Sequence, residues 1–297
     1  MNQEQPQWKA AAERLLSIAL SFPVKIDSVV PAGGGCINEC FVLQTAAGKF
    51  FLKRNDPKQF PKMFEGEAKG LQLLNETVNG ISPKVIITDE QKDDMLLILQ
   101  HIETGSAQKD FWIDFAKKLS MLHRKTTGFF GLDHDNYIGS LPQSNKRHPD
   151  WNSFFILERI EPQLKKAIDE DQLPGEIARL FERMFLRLPE IFPPEPSSLL
   201  HGDLWSGNYM IEKDGRLRLI DPAVYFGFRE MDLAMMKSFG GFDTSVFKHY
   251  HEFFPLENGF EKRVDICNLY PWLVHVNLFG GQYPLKVQAI MKPFQSR

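Results

Sequence analysis

The chain predicts an α+β fold of two lobes, a small β-rich one over residues 1–102 and a larger helical one over residues 103–297. Three observations carry this reading. Before Gly105 the apolar residues come in short runs separated by turn signals, the pattern of antiparallel strands. After Gly105 they recur at helical spacing. A chain of 297 residues, 43% of them hydrophobic, is long enough for about two lobes with a sizeable core.

The elements follow in order. Trp8, Ala11, Leu15 and Ile18 share one helical face and predict a leading helix over 7–21. Residues 26–52 have strand texture: Phe41-Val42-Leu43 and Phe50-Phe51-Leu52 flank Ala46-Ala47-Gly48-Lys49, a hairpin signal. Gly33-Gly34-Gly35 lies between apparent strands. Phe64, Leu71 and Leu74 predict a helix over 62–75, and Val85–Thr88 and Met95–Leu99 complete a five-stranded sheet. Phe111, Phe115, Leu119 and Leu122 open the helical lobe. Its one β-like stretch is 209–221, where Tyr209-Met210-Ile211 and Leu217–Ile220 flank Lys213-Asp214-Gly215-Arg216. With no long linker between the lobes, a ligand-binding cleft at their junction is expected.

Composition narrows the function. A net charge of -3 gives no basic footprint for nucleic acid or for an anionic membrane surface. No apolar run nears the ~20 residues of a membrane helix. The start, MNQEQPQWKA, lacks the basic and apolar segments of a signal peptide. Three cysteines fit a reducing, cytoplasmic setting better than a disulfide framework. A small-molecule partner is the default, and the sequence is silent on oligomeric state.

The densest chemistry is His201-Gly202-Asp203-Leu204-Trp205-Ser206-Gly207-Asn208. Asp203 and Asn208 have the spacing of a kinase catalytic loop, in which the acid takes the proton of the attacking hydroxyl and the amide oxygen helps to hold magnesium. The hairpin that follows would return Asp221 beside Asn208, so that both could share one hard cation. Upstream, the glycine turn Gly33, Gly34 and Gly35 lets backbone N–H groups approach phosphates, and Lys53 closes the next strand but one. It is not a Walker A loop, because a strand follows it. Lys53 needs an acid to hold it. Phe64, Glu67, Leu71 and Leu74 lie on one helix face while Glu65 points away, and an acid on an apolar face is costly unless paired. Glu67 is therefore the choice, and Glu65 is an ordinary exposed charge.

The ordered segments GGGCINE, FFLKRN, FEGEAKGL, HGDLWSGN, LIDPAVYFGFREMDLAM and NLFGGQY resemble those of the ketosamine kinases, the fructosamine and ribulosamine kinases. DNYIGSLPQSN followed by Trp151, Phe154, Phe155 and Arg159 is similar too, and the resemblance spans about residues 31–283. It implies a protein-kinase-like fold shared with aminoglycoside and choline kinases. It also implies transfer from ATP, with Mg2+, to the 3-hydroxyl of a ketoamine sugar on an amine or a protein lysine, a step of protein deglycation. On this match Asp203 is the base, Asn208 and Asp221 are the metal ligands, and Lys53 with Glu67 is the phosphate clamp. Gln100, His101 and Ile102 correspond to the hinge that hydrogen-bonds adenine, and His275 matches a position near the acceptor. Two departures stand out: Phe228 where relatives often carry histidine, and Gln100 where they often carry an acid.

Other residues have two readings. Trp205 is either a core anchor or a flat platform for a sugar ring or its amine substituent. His275 is either a packed histidine on an apolar helix or an acceptor-site residue. Arg229, Glu230 and Asp232 are expected to form an ion-pair and capping network beneath the catalytic loop. Cys36 and Cys40 are spaced too far apart along an extended strand for a disulfide. Cys36, in the glycine loop, is a candidate redox-sensitive thiol.

The rival functions are phosphotransfer to an aminoglycoside or another small alcohol, and a non-catalytic kinase-like binding module. From Gly240 onward five acids face six bases, so the acidic bias that suits a polycationic antibiotic is missing. Lysine, base and metal ligands are all present, against a non-catalytic module. No APE-type segment supports a protein kinase.

Overall fold

A computed structural model describes residues 7–33 and 37–295. The chain forms two compact units, residues 1–108 with 210–221, and residues 109–209 with 222–297.

The first unit is built on α1 (Gln7–Leu20), β1 (Ile26–Pro31), β2 (Glu39–Thr45), β3 (Gly48–Asn55), α2 (Met63–Thr77), β4 (Val85–Gln91) and β5 (Asp94–Gln100). The strands form one antiparallel sheet in the order β1-β2-β3-β5-β4. The β2–β3 hairpin closes where Thr45 pairs with Gly48, whose φ of +119° favours glycine. Ala12, Leu15 and Leu16 of α1 pack with Leu43, Leu52, Leu96 and Ile98 into one core, and Trp8 stacks on Phe41 at 4.8 Å. On α2 the buried positions include Phe64, Ala68, Leu71 and Leu74.

Residues 210–221, which carry most of the antiparallel pair Tyr209–Ile211 and Leu217–Leu219, supply the rest of this unit. Gly105 N–H donates to Ile211 O at 2.8 Å, Lys213 N–H to Glu103 O at 2.7 Å and Leu219 N–H to Ile81 O at 2.7 Å. A Cβ on Gly105 would lie 2.6 Å from Lys213 Cα, so the close approach requires glycine.

The second unit is mainly helical: α3 (Phe111–His123), α4 (Trp151–Phe154), α5 (Glu161–Asp169), α6 (Ala178–Ile191), α7 (Glu230–Phe239), α8 (Ser245–Phe253), α9 (Phe260–Cys267), α10 (Leu269–Phe279) and α11 (Tyr283–Met291). A π-helical turn, Phe155–Ile160, joins α4 to α5 and turns Arg159 into the interior. There the Arg159 guanidinium bonds Ser144 O and Asn145 Oδ1 and lies 4.0 Å from the Tyr225 ring centroid. Strand Ser198–Leu200, which leads into His201, pairs with Tyr225–Gly227. Phe228 is buried against Trp151 and Phe192. No helix among the described residues is long and apolar enough to cross a membrane.

Candidate active site

The chemistry forms two clusters, one in each unit. In the first, β3 carries Lys53 opposite Cys40 of β2 and Leu97 of β5. The Lys53 side chain is buried, and its Nζ donates to Glu67 Oε1 at 2.7 Å and to Asp221 Oδ1 at 2.6 Å. Burial alone would discharge the ammonium. The carboxylates of Asp221 and Glu67 outweigh it and hold the group well above the usual lysine range. Burial pushes the Glu67 carboxyl up, and Lys53 opposes that shift. Glu65, two residues before Glu67, pairs with Lys69 at the surface.

Asp221 follows the strand Leu217–Leu219 and has a φ of +53°. Aspartate tolerates this left-handed conformation better than most residues. Its side chain is 47% exposed, so one carboxylate oxygen engages Lys53 while the group still faces solvent.

At the end of β5, Gln100 N–H donates to Lys84 O at 2.8 Å, His101 is partly buried and Ile102 is buried. Burial and the nearby Lys49 pull the His101 imidazole below its ordinary value, against Glu103. Gly33 is exposed, with open space where a Cβ would sit. Gly34, Gly35 and Cys36 lie outside the described residues. Cys40 is a partly buried free thiol, pushed up by burial.

In the second cluster, residues 201–208 leave the strand Ser198–Leu200 as a tight loop that ends in the 3-10 turn Ser206–Asn208. Asn208 Nδ2 donates to Asp203 Oδ2 at 2.7 Å and to Asp203 O at 2.8 Å. This fixes the carboxylate and turns the Asn208 amide oxygen away from it. Gly202 has a φ of +85°, and a Cβ there would lie 2.0 Å from Ala223 O. Only glycine fits.

Beneath the loop, the buried Asp232 of α7 accepts from His201 N–H at 2.8 Å and from Gly202 N–H at 3.0 Å. His123 Nε2 lies 3.2 Å from the same carboxylate, and His123 Nδ1 lies 2.8 Å from Tyr250 Oη. Burial would raise the Asp232 carboxyl; His123, His201 and the Gly202 N–H outweigh it and hold the group below the usual range. Of the three residues expected to form a network here, Asp232 bonds the loop. Arg229 pairs with Glu195 and Glu230 with Arg263, because each buried ion finds a bidentate partner of its own.

Trp205 is 42% exposed, which removes the core-anchor reading. Its indole folds back over Gly207, where a Cβ would meet Trp205 Cη2 at 2.2 Å, so Gly207 is the residue that lets the ring lie flat. His275, on α10, is partly buried among Phe239, Trp272, Phe279 and Tyr283.

The structure thus brings Lys53, Glu67 and Asp221 together in one unit, and Asp203 and Asn208 in the other. Sequence reasoning missed His123 and Tyr250. His123 ends an amphipathic helix, where a histidine reads as an exposed terminal residue, and its partners are remote in sequence.

The profile of a family described as fructosamine kinase matches residues 7–296. A "Probable ketoamine kinase" of Vibrio parahaemolyticus is 37% identical, over 93% of this chain and 95% of that one. A chloroplastic protein-ribulosamine 3-kinase of Arabidopsis thaliana is 36% identical, over 91% of this chain and 83% of that one. Among solved structures, a protein of Haemophilus somnus 129PT described as a fructosamine-3-kinase superposes with a TM-score of 0.87 at 26% identity, covering 96% of this chain and 97% of that one. The fold is that of these kinases.

Proposed function

The chain belongs to the fructosamine kinase family, and from that premise we infer that it is an ATP-dependent ketosamine kinase acting on the 3-hydroxyl of a ketoamine sugar. The observation that carries the chemistry is the HGDLWSGN loop, with Asp203 fixed by Asn208 and the backbone N–H groups of His201 and Gly202 held by Asp232.

In the proposed mechanism the acceptor oxygen attacks the γ-phosphorus, the bond to the β,γ-bridging oxygen breaks, and ADP leaves with that electron pair. Asp203 takes the hydroxyl proton, contributing ~10²–10⁴-fold. Lys53, oriented by Glu67, neutralises phosphate charge as the loose transition state develops. Gly33, Gly34 and Gly35 supply backbone N–H groups to the phosphates, and Gln100, His101 and Ile102 hold adenine. Trp205 and His275 serve the acceptor.

Asn208 and Asp221 would each offer an oxygen to Mg2+, which would supply positive charge to neutralise the transferring phosphate. The donor set fits that ion, since an amide oxygen and a carboxylate are both hard oxygen ligands. Phosphorylation at C3 destabilises the sugar–amine adduct, which gives a role in protein repair. The low cysteine count supports a cytoplasmic setting.

The test is ATP consumption with ribulose-, erythrulose- and fructose-modified lysine set against kanamycin and choline. Turnover on a ketoamine is expected. Turnover on kanamycin or choline alone would replace this reading with the small-alcohol kinase.

A further inference from the structure

We propose that the aromatic cluster around His275 binds the protonated nitrogen of the acceptor, so that it reads the amine half of a ketoamine rather than the sugar. This inference rests on the ketosamine kinase reading and specifies which part of the substrate these residues meet.

The His275 ring has Tyr283 at 4.9 Å, Phe239 at 5.0 Å, Phe279 at 5.5 Å and Trp272 at 5.8 Å between centroids. Trp272 stacks on Phe239 at 4.5 Å and on Tyr283 at 6.1 Å, with interplanar angles of 19° and 26°. Phe279 is 61% exposed and Trp272 and Tyr283 are only partly buried, so the cluster is reachable from solvent. Aromatic faces carry negative potential and attract cations. The Lys286 ammonium already lies 5.7 Å from the Trp272 centroid, so an alkylammonium suits this ring.

His275 adds direction. Its Nδ1 lies 2.7 Å from the Pro271 carbonyl oxygen, which can only accept, so Nδ1 carries the hydrogen and Nε2 keeps a lone pair. Burial lowers the imidazole's affinity for a second proton, against that same bond. A neutral acceptor set among four aromatic rings suits a ligand that is a cation and an N–H donor at once. The secondary ammonium of a ketoamine is both. A sugar hydroxyl has no charge to exploit the rings.

The cluster also stands beside the catalytic loop. Helix α7 holds that loop through Asp232 near its start and carries Phe239 at its end. Two residues on, Gly241 packs so tightly on Ser206 that a Cβ would lie 2.3 Å from Ser206 Cβ, and Tyr209 Oη donates to Gly241 O at 3.2 Å. In a ketoamine the nitrogen sits on C1 and the reacting hydroxyl on C3. A site for the nitrogen must therefore adjoin the loop that bears Asp203.

The experiment compares KM for ribulose-modified Nα-acetyl-lysine with KM for 1-deoxyribulose, which keeps the 3-hydroxyl and lacks the nitrogen. The preference of the wild-type protein for the ketoamine should shrink about tenfold in Trp272→Leu and in His275→Phe. Tyr283→Leu, at a partly exposed position, provides the same readout if Trp272→Leu does not fold. A preference unchanged in the folded variants, with both KM values moving together, would overturn the assignment. Failure of the wild-type protein to turn over either compound would sink the kinase reading instead.

Discussion

A buried ammonium keeps its charge only if carboxylates hold it, and Lys53 has two. Glu67 therefore positions Lys53, and Glu67→Gln should lower kcat/KM for ATP about 10–100-fold, the worth of one hydrogen bond between charged groups. Glu65→Gln, two positions earlier in the same helix, loosens a surface pair with Lys69 and should leave stability within about 0.5 kcal/mol of wild type. Steady-state kinetics and urea unfolding of the two variants check the contrast. Gly202→Ala combines a φ of +85° with a collision against Ala223 O and should destabilise the protein by more than about 2 kcal/mol, visible as a fall in Tm. The Lys53–Glu67 pair was legible in the sequence because an acid on an apolar helix face demands a partner. The service of Asp232 to the loop was less so: its partners are two backbone N–H groups, which leave no trace in a side-chain pattern. The flat Trp205 ring was ambiguous for a similar reason, since the space over Gly207 that admits it is a property of the folded loop.

At the level of elements, α7 holds the HGDLWSGN loop to the helical core through Asp232. Because that carboxyl sits below its unfolded value, it adds stability in full above about pH 4, and the contribution is lost as pH falls through the folded value. Urea unfolding between about pH 5 and 3 should show this loss, and Asp232→Asn should flatten the slope. The strand pair Tyr209–Ile211 and Leu217–Leu219 depends on Gly105. Gly105→Ala should force the hairpin from its seat and displace Asp221 from Lys53, read as a rise in KM for ATP together with a lower Tm. Strand and helix positions were readable because period-2 and helical patterns are local; α1 at Gln7–Leu20 and α2 at Met63–Thr77 lie close to the expected 7–21 and 62–75. The seat of the hairpin on Ile81, Glu103 and Gly105 was not, since hydrogen bonds between residues so far apart are set by topology. The π-helical turn that buries Arg159 is likewise invisible to a helical spacing rule.

Across the whole molecule, the proposed mechanism draws on two groups of residues, one in each unit: Lys53 with Glu67 and Asp221, and Asp203 with Asn208. The phosphoryl half of the function reads well from the sequence because its residues are few and ordered along the chain. The acceptor half depends on aromatic rings gathered from α7, α10 and α11, and no linear motif announces such a cluster. The central claim is transfer to the ketoamine 3-hydroxyl with Asp203 as base. Phosphorus NMR of the products from ribulose-modified lysine and ATP, with wild-type protein and with Asp203→Asn, tests it most directly. The account predicts a 3-phosphate from wild type and a rate lower by ~10²–10⁴-fold in the variant. Phosphate on another hydroxyl, or wild-type turnover by the variant, would contradict it.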